Sequence, residues 1–156
     1  REILVALVGE YIHRLPDEVA EIEAAQLEQR GLHFARAGGL EKGGFQGIYF
    51  NDSDVYKVIE GASYALSLQP DPELERYIDN LAVKIAAAQE EDGYIYTCRT
   101  NGSRRLARWM GRERWVNLTR SHELYNAGHL YEAAAAHYQA TGKRTLLDVA
   151  LKNAEL

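Results

Sequence analysis

Apolar residues recur every three or four positions through most of the chain, the spacing of helices that bury one face. The pattern predicts a first helix over residues 1–15 and a second from Pro16-Asp17-Glu18 to residue 30. Proline in a first turn with acids behind it suits a helix start. "GLHFARAGGLEKGGFQGIYFND" then holds too many glycines for a helix and reads as irregular. A third helix starts at "NDSD" and runs to about residue 68; "QPDPELE" breaks it and starts a fourth, about 73–90. "EDGYIYT" reads as a turn and a short strand, followed by a loop rich in Arg and Trp as far as Thr119. The fifth helix carries "RSHELYNAGHLYEAAAAHYQATGKR" and stops at Gly142; a sixth begins near Lys143. No cap precedes the first apolar residues and no Gly, Asn or Pro stops the last ones. The chain therefore reads as a single partial domain, 1–156, cut from a longer protein at both ends.

The third and fifth helices resemble each other, Ile59-Glu60-Gly61-Ala62 matching Tyr131-Glu132-Ala133-Ala134, and each leads into a Leu-containing helix. The repeated unit is a helical hairpin, and such hairpins stack into a solenoid or close into a ring. The alanines 133–136 suit an inner helix packed on several sides, whereas the charged face of the fourth helix suits an outer layer. Protein-binding repeats keep their connections short. Here the link between hairpins is about thirty residues long, and loops beyond about 12–15 residues tend to be functional. The expectation is an all-α ring enzyme; a non-catalytic repeat module that binds a protein or glycan is the alternative.

Composition narrows the partners. The 156 residues are 46% hydrophobic and 26% charged, as in a folded globular domain, and a net charge of -5 argues against nucleic acid as a partner. No apolar run approaches the ~20 residues that span a bilayer, so no membrane partner is expected. The lone Cys98 rules out an internal disulfide and a cysteine-rich zinc knuckle.

Three groups of residues could carry chemistry. "HELYN" opens like a zinc-protease helix, but that motif needs a second His four residues on, where Asn126 stands. His129 lies two turns further, about 10 Å along a helix, too far to share an ion with His122. What remains is a polar stripe of His122, Asn126 and His129, with His122 in the first turn behind Thr119 or Ser121 as cap. His122 reads equally as a ligand contact and as a structural histidine; His129 and His137 suit hydrogen bonding in a core. In "FNDSDVYK", Asn51, Asp52 and Ser53 are strong caps. Because this motif occupies the same place on the third helix that His122 holds on the fifth, its carboxylates, Asp52 and Asp54, could instead hold sugar hydroxyls at a shared rim. The loop offers the flat faces of Tyr94, Tyr96, Trp109 and Trp115 to sugar C–H groups. Its arginines are either a solvated surface or a phosphate contact. Cys98 is a candidate nucleophile with nothing around it to single it out.

Taken together, "FQGIYFNDSDVYKVIEGASYAL", "PDPELERYIDNLAVKIAAAQEEDGYIYT" and "SHELYNAGHLYEAAAAHYQATGKRTLLDVALKNAEL" resemble the N-terminal part of the zinc-dependent β-L-arabinofuranosidase family of glycoside hydrolases. The resemblance implies an (α/α)6 barrel, of which this chain supplies an incomplete arc. It also implies a retaining exo-hydrolase that releases terminal L-arabinofuranose through a zinc-held cysteine nucleophile and a glutamate acid/base. Nothing in the chain matches those catalytic residues, so zinc is expected only in the full-length enzyme, with no metal ligand or catalytic residue here. The resemblance places His122 on the sugar; Asp52, Asp54 and His129, read from their positions on the third and fifth helices, are expected as further substrate contacts.

Overall fold

The computed structural model describes residues 17–102 and 106–156, and the side chains from residue 24 onward. The helix expected over residues 1–15 lies outside that range. Helix α1, Asp17–Ala37, does not stop at residue 30. Gly31 sits where α1 presses on a neighbour, and a Cβ there would lie 3.0 Å from Leu81 Cδ2. The contact favours glycine inside the helix, and burial of His33, Phe34 and Ala35 extends it by another turn. Packing outweighs glycine's low helix propensity here.

Helix α2, Asp52–Leu68, and helix α3, Pro72–Ala88, match the expected hairpin closely. Asp71 starts α3 by accepting from the backbone N–H groups of Glu73 and Leu74 at 2.9 and 3.0 Å. Asp71→Ala leaves both donors to water and should cost about 1 kcal/mol. Urea unfolding with an unchanged slope would register that loss, and an unaltered midpoint would show the cap to be idle.

Residues 94–96 are buried but form no strand, because no strand pairs with them among the described residues. Their backbone groups go instead to the turn and to the next helix start: Tyr94 O accepts from Glu90 N, and Tyr96 O from Arg99 N. The long loop is not featureless. It winds through three single turns, α4 (Thr97–Thr100), α5 (Ala107–Met110) and α6 (Leu118–Ser121). Helix α7, Glu123–Thr141, closes on Gly142 at φ 71°, a left-handed position that suits glycine. Helix α8, Thr145–Ala154, follows.

The helices form two layers. The inner pair, α2 and α7, makes the largest helix contact, while α1, α3 and α8 lie side by side behind them. Val55, Ile59, Ile78, Ile85, Leu130 and Leu146 fill the space between the layers. This is the all-α arc of helical hairpins that the repeat predicts. No described helix is long and apolar enough to cross a membrane. A second cluster, Tyr94, Tyr96, Cys98, Leu106 and Met110, packs the loop down beside the starts of the inner helices.

Candidate functional site

The starts of α2 and α7 meet at one end of the arc. Asn51, at the N-cap of α2, makes no side-chain cap. A buried donor of that first turn, Ser53 N–H, donates across to the other inner helix, to Asn126 Oδ1 3.1 Å away. Asn126 is therefore turned into the α2–α7 interface and not along an open polar stripe. "NDSD" and "HELYN" are two halves of one joint.

Asp52 braces the loop. Its carboxylate accepts Thr97 N–H at 2.8 Å and the Thr97 hydroxyl at 2.5 Å, capping α4 from a distance. Only 1% of Asp52 is exposed, so it has no open face toward a sugar, and the expected hydroxyl contact becomes a positioning role. Burial pushes its carboxyl up to about 6 against the pull of the Thr97 bonds, and the charge of Asp54 adds to the rise. Asp54 stays half-buried, 3.3 Å from Arg30 and 3.9 Å from Lys57.

His122 does not lie in the first turn of the helix. It is itself the N-cap of α7, held at φ 58°, ψ 24°, a left-handed conformation uncommon outside glycine. Its Nδ1 lies 2.8 Å from the carbonyl oxygen of Arg120. A carbonyl only accepts, so Nδ1 carries a proton, and in the neutral form of the ring Nε2 is the acceptor. The ring stacks on Phe50 at 4.4 Å and meets the edges of Tyr49 and Tyr125 at 5.5 and 5.8 Å. Tyr49 in turn stacks on Trp109. This half-buried aromatic nest with one imidazole acceptor can hold a polyol by C–H contact and hydrogen bonding.

Sequence reasoning missed the residue that fixes this nest. Glu123 is 3% exposed and accepts from the Tyr94 hydroxyl and Ser121 Oγ at 2.7 Å each, and from Trp115 N–H at 3.1 Å. The Tyr96 hydroxyl donates to Ser121 O at 2.6 Å. Burial and the bond to Glu123 hold the Tyr94 hydroxyl far above its ordinary range. Tyr94 and Tyr96 are thus core struts and not sugar platforms. Two arginines of the loop are internal ties: Arg99 donates to the carbonyls of Met110 and Glu113, and Arg114 pairs with Glu90 and Asp92. Cys98 is fully buried. His137 is buried in the core as expected, 3.9 Å from Asp79, but neither ring nitrogen forms a hydrogen bond. His129 lies deeper along α7, edge-on to Tyr125.

The family profile described as "Beta-L-arabinofuranosidase, GH127 catalytic domain" matches residues 8–156. The chain is 39% identical over 142 residues to a non-reducing end β-L-arabinofuranosidase of Bifidobacterium longum subsp. longum, a match covering 90% of this chain and 21% of that protein. A solved GH127 β-arabinofuranosidase superposes with a TM-score of 0.79 at 43% identity, covering 99% of this chain and 23% of the other. A GH127 β-L-arabinofuranosidase from Geobacillus stearothermophilus T6 gives 0.73 at 42% identity, over 81% and 19%. The chain spans about a fifth of the length of these relatives.

Proposed function

Because the chain belongs to the β-L-arabinofuranosidase family with a GH127 catalytic domain, we propose that it forms the N-terminal arc of an (α/α)6 catalytic barrel. In this reading it supplies one wall of the sugar pocket in a retaining, exo-acting β-L-arabinofuranosidase, and the residues that break the bond lie outside it. The observation that carries the reading is His122, strained into a left-handed cap with Nε2 free on an aromatic nest.

In this role Nε2 accepts a hydroxyl hydrogen of a terminal arabinofuranose, while Phe50 and Tyr125 cover its C–H face. Asp54, half-buried beside Arg30, is the carboxylate left to reach a second hydroxyl. Asp52 positions from below. The zinc centre that the family resemblance implies does not fit the residues of this chain: Cys98 is its only cysteine and is sealed in the Tyr94–Met110 cluster. The metal and the thiolate nucleophile are therefore assigned to segments beyond this arc.

His122→Asn in the intact protein tests the role. Asparagine tolerates the left-handed backbone, so the fold should lose less than about 1 kcal/mol. Turnover of an aryl β-L-arabinofuranoside should fall at least tenfold, about 1.4 kcal/mol of transition-state binding. Unchanged kinetics would remove His122 from the pocket.

A further inference from the structure

Two turns below His122, the inner faces of α2 and α7 carry a cluster that the sugar reading does not use. Glu60 from α2 and His129 and Glu132 from α7 bring one ligand atom each to within 4.8 Å of one another. Glu132 Oε2 is 3.1 Å from His129 Nδ1. That distance alone would suit a hydrogen bond, yet Nδ1 is buried and has no aligned partner. The ring nitrogen and the carboxylate oxygen are close enough to touch one ion but are not aligned for a hydrogen bond with each other. Among the described residues, neither glutamate pairs with Lys or Arg, and Lys57, one turn before Glu60, is turned to Asp54 and the Tyr125 hydroxyl. The Tyr64 hydroxyl donates to Glu60 Oε1 at 3.0 Å, which orients that carboxylate and leaves its second oxygen for a ligand.

We propose that Glu60, His129 and Glu132 form a binding site for a divalent transition-metal cation of the Zn2+ type. One imidazole and two carboxylates match that ion's preference for nitrogen and oxygen donors. Helix bundles hold metals with an imidazole and a carboxylate one turn apart on one helix and a glutamate on another, and His129 and Glu132 have that one-turn spacing, in the reverse order of the usual Glu-x-x-His. Ligand atoms around a tetrahedral ion with ~2 Å bonds lie about 3.3 Å apart. The wider spread here closes by rotation of Glu132, whose side chain is 61% exposed. His129 thereby moves from expected sugar contact to cation ligand, and the expectation of no metal ligand in this chain is revised. The assignment does not rest on the arabinofuranosidase reading.

Equilibrium dialysis of the intact protein against Zn2+, followed by elemental analysis, tests it. Glu132→Gln and Glu60→Gln should each hold one zinc ion fewer per chain than the parent, with any zinc bound elsewhere retained. His122→Asn should hold as much as the parent. A parent crystal soaked in Zn2+ should show an anomalous peak at bonding distance from His129 Nδ1. Glu132 is exposed enough that its amide variant folds, so equal zinc content in that variant and the parent overturns the site. So does an anomalous signal found only elsewhere on the surface.

Discussion

Glu123→Ala should destabilise the protein by about 3–5 kcal/mol, the largest loss expected from any single truncation at the rim. The side chain is 1% exposed and satisfies three donors from three places: the Tyr94 hydroxyl, the Ser121 hydroxyl and Trp115 N–H. Alanine orphans all three in a site closed to water, at about 1–3 kcal/mol for each buried donor left unpaired. Backbone geometry adds to this. Trp115 and His122, the non-glycine residues with positive φ among those described, at 65° and 58°, both lie beside Glu123 in the structure or the chain. One donates to it and the other immediately precedes it. Glu123→Gln keeps the shape and one acceptor, so its loss should be smaller, about 1–2 kcal/mol. Urea unfolding of both variants orders the effects. An alanine variant within 1 kcal/mol of the parent would mean that the left-handed cap is held by something other than Glu123.

The part of the fold that follows helical periodicity was legible before any coordinates. The bounds of α2 and α3 and the end of α7 follow from apolar spacing and from breakers such as Pro70 and Gly142. The inner and outer layers follow from where alanine or charge sits on those helices. What periodicity cannot carry is contact between distant segments. Gly31 looks like a stop until Leu81 is seen lying against it. Residues 94–96 read as a strand because Tyr-Ile-Tyr alternation cannot reveal that there is no partner strand. At the site, "NDSD" and "HELYN" stood out as polar starts, and they do meet at one end. Their division of labour was hidden, because it is set by partners 45 and 73 residues away: Thr97 for Asp52, and Ser53 for Asn126. Local sequence makes Asp52 look like an open carboxylate. Tertiary structure buries it.

That burial gives Asp52 a pH signature opposite in sign to the usual stabilising carboxylate. Its folded pKa of about 6 lies above the value of 3.8 that it regains on unfolding. Between those values the folded chain holds a proton that the unfolded chain has released, so stability falls as pH rises. The group's contribution is most favourable below about pH 4, declines through pH 6 and is level above it. The full span is about 3 kcal/mol. Asp52→Asn removes the titration while keeping an oxygen for Thr97 N–H, and the Thr97 hydroxyl can rotate to accept from the new amide. Relative to the parent, the asparagine variant should therefore gain up to about 3 kcal/mol between pH 4 and pH 7. Urea unfolding of both proteins at pH 4, 5, 6 and 7 cancels every other titrating group in the difference. A difference that stays constant over that range would mean that Asp52 is charged in the fold throughout, carried by its two Thr97 bonds against the cost of burial.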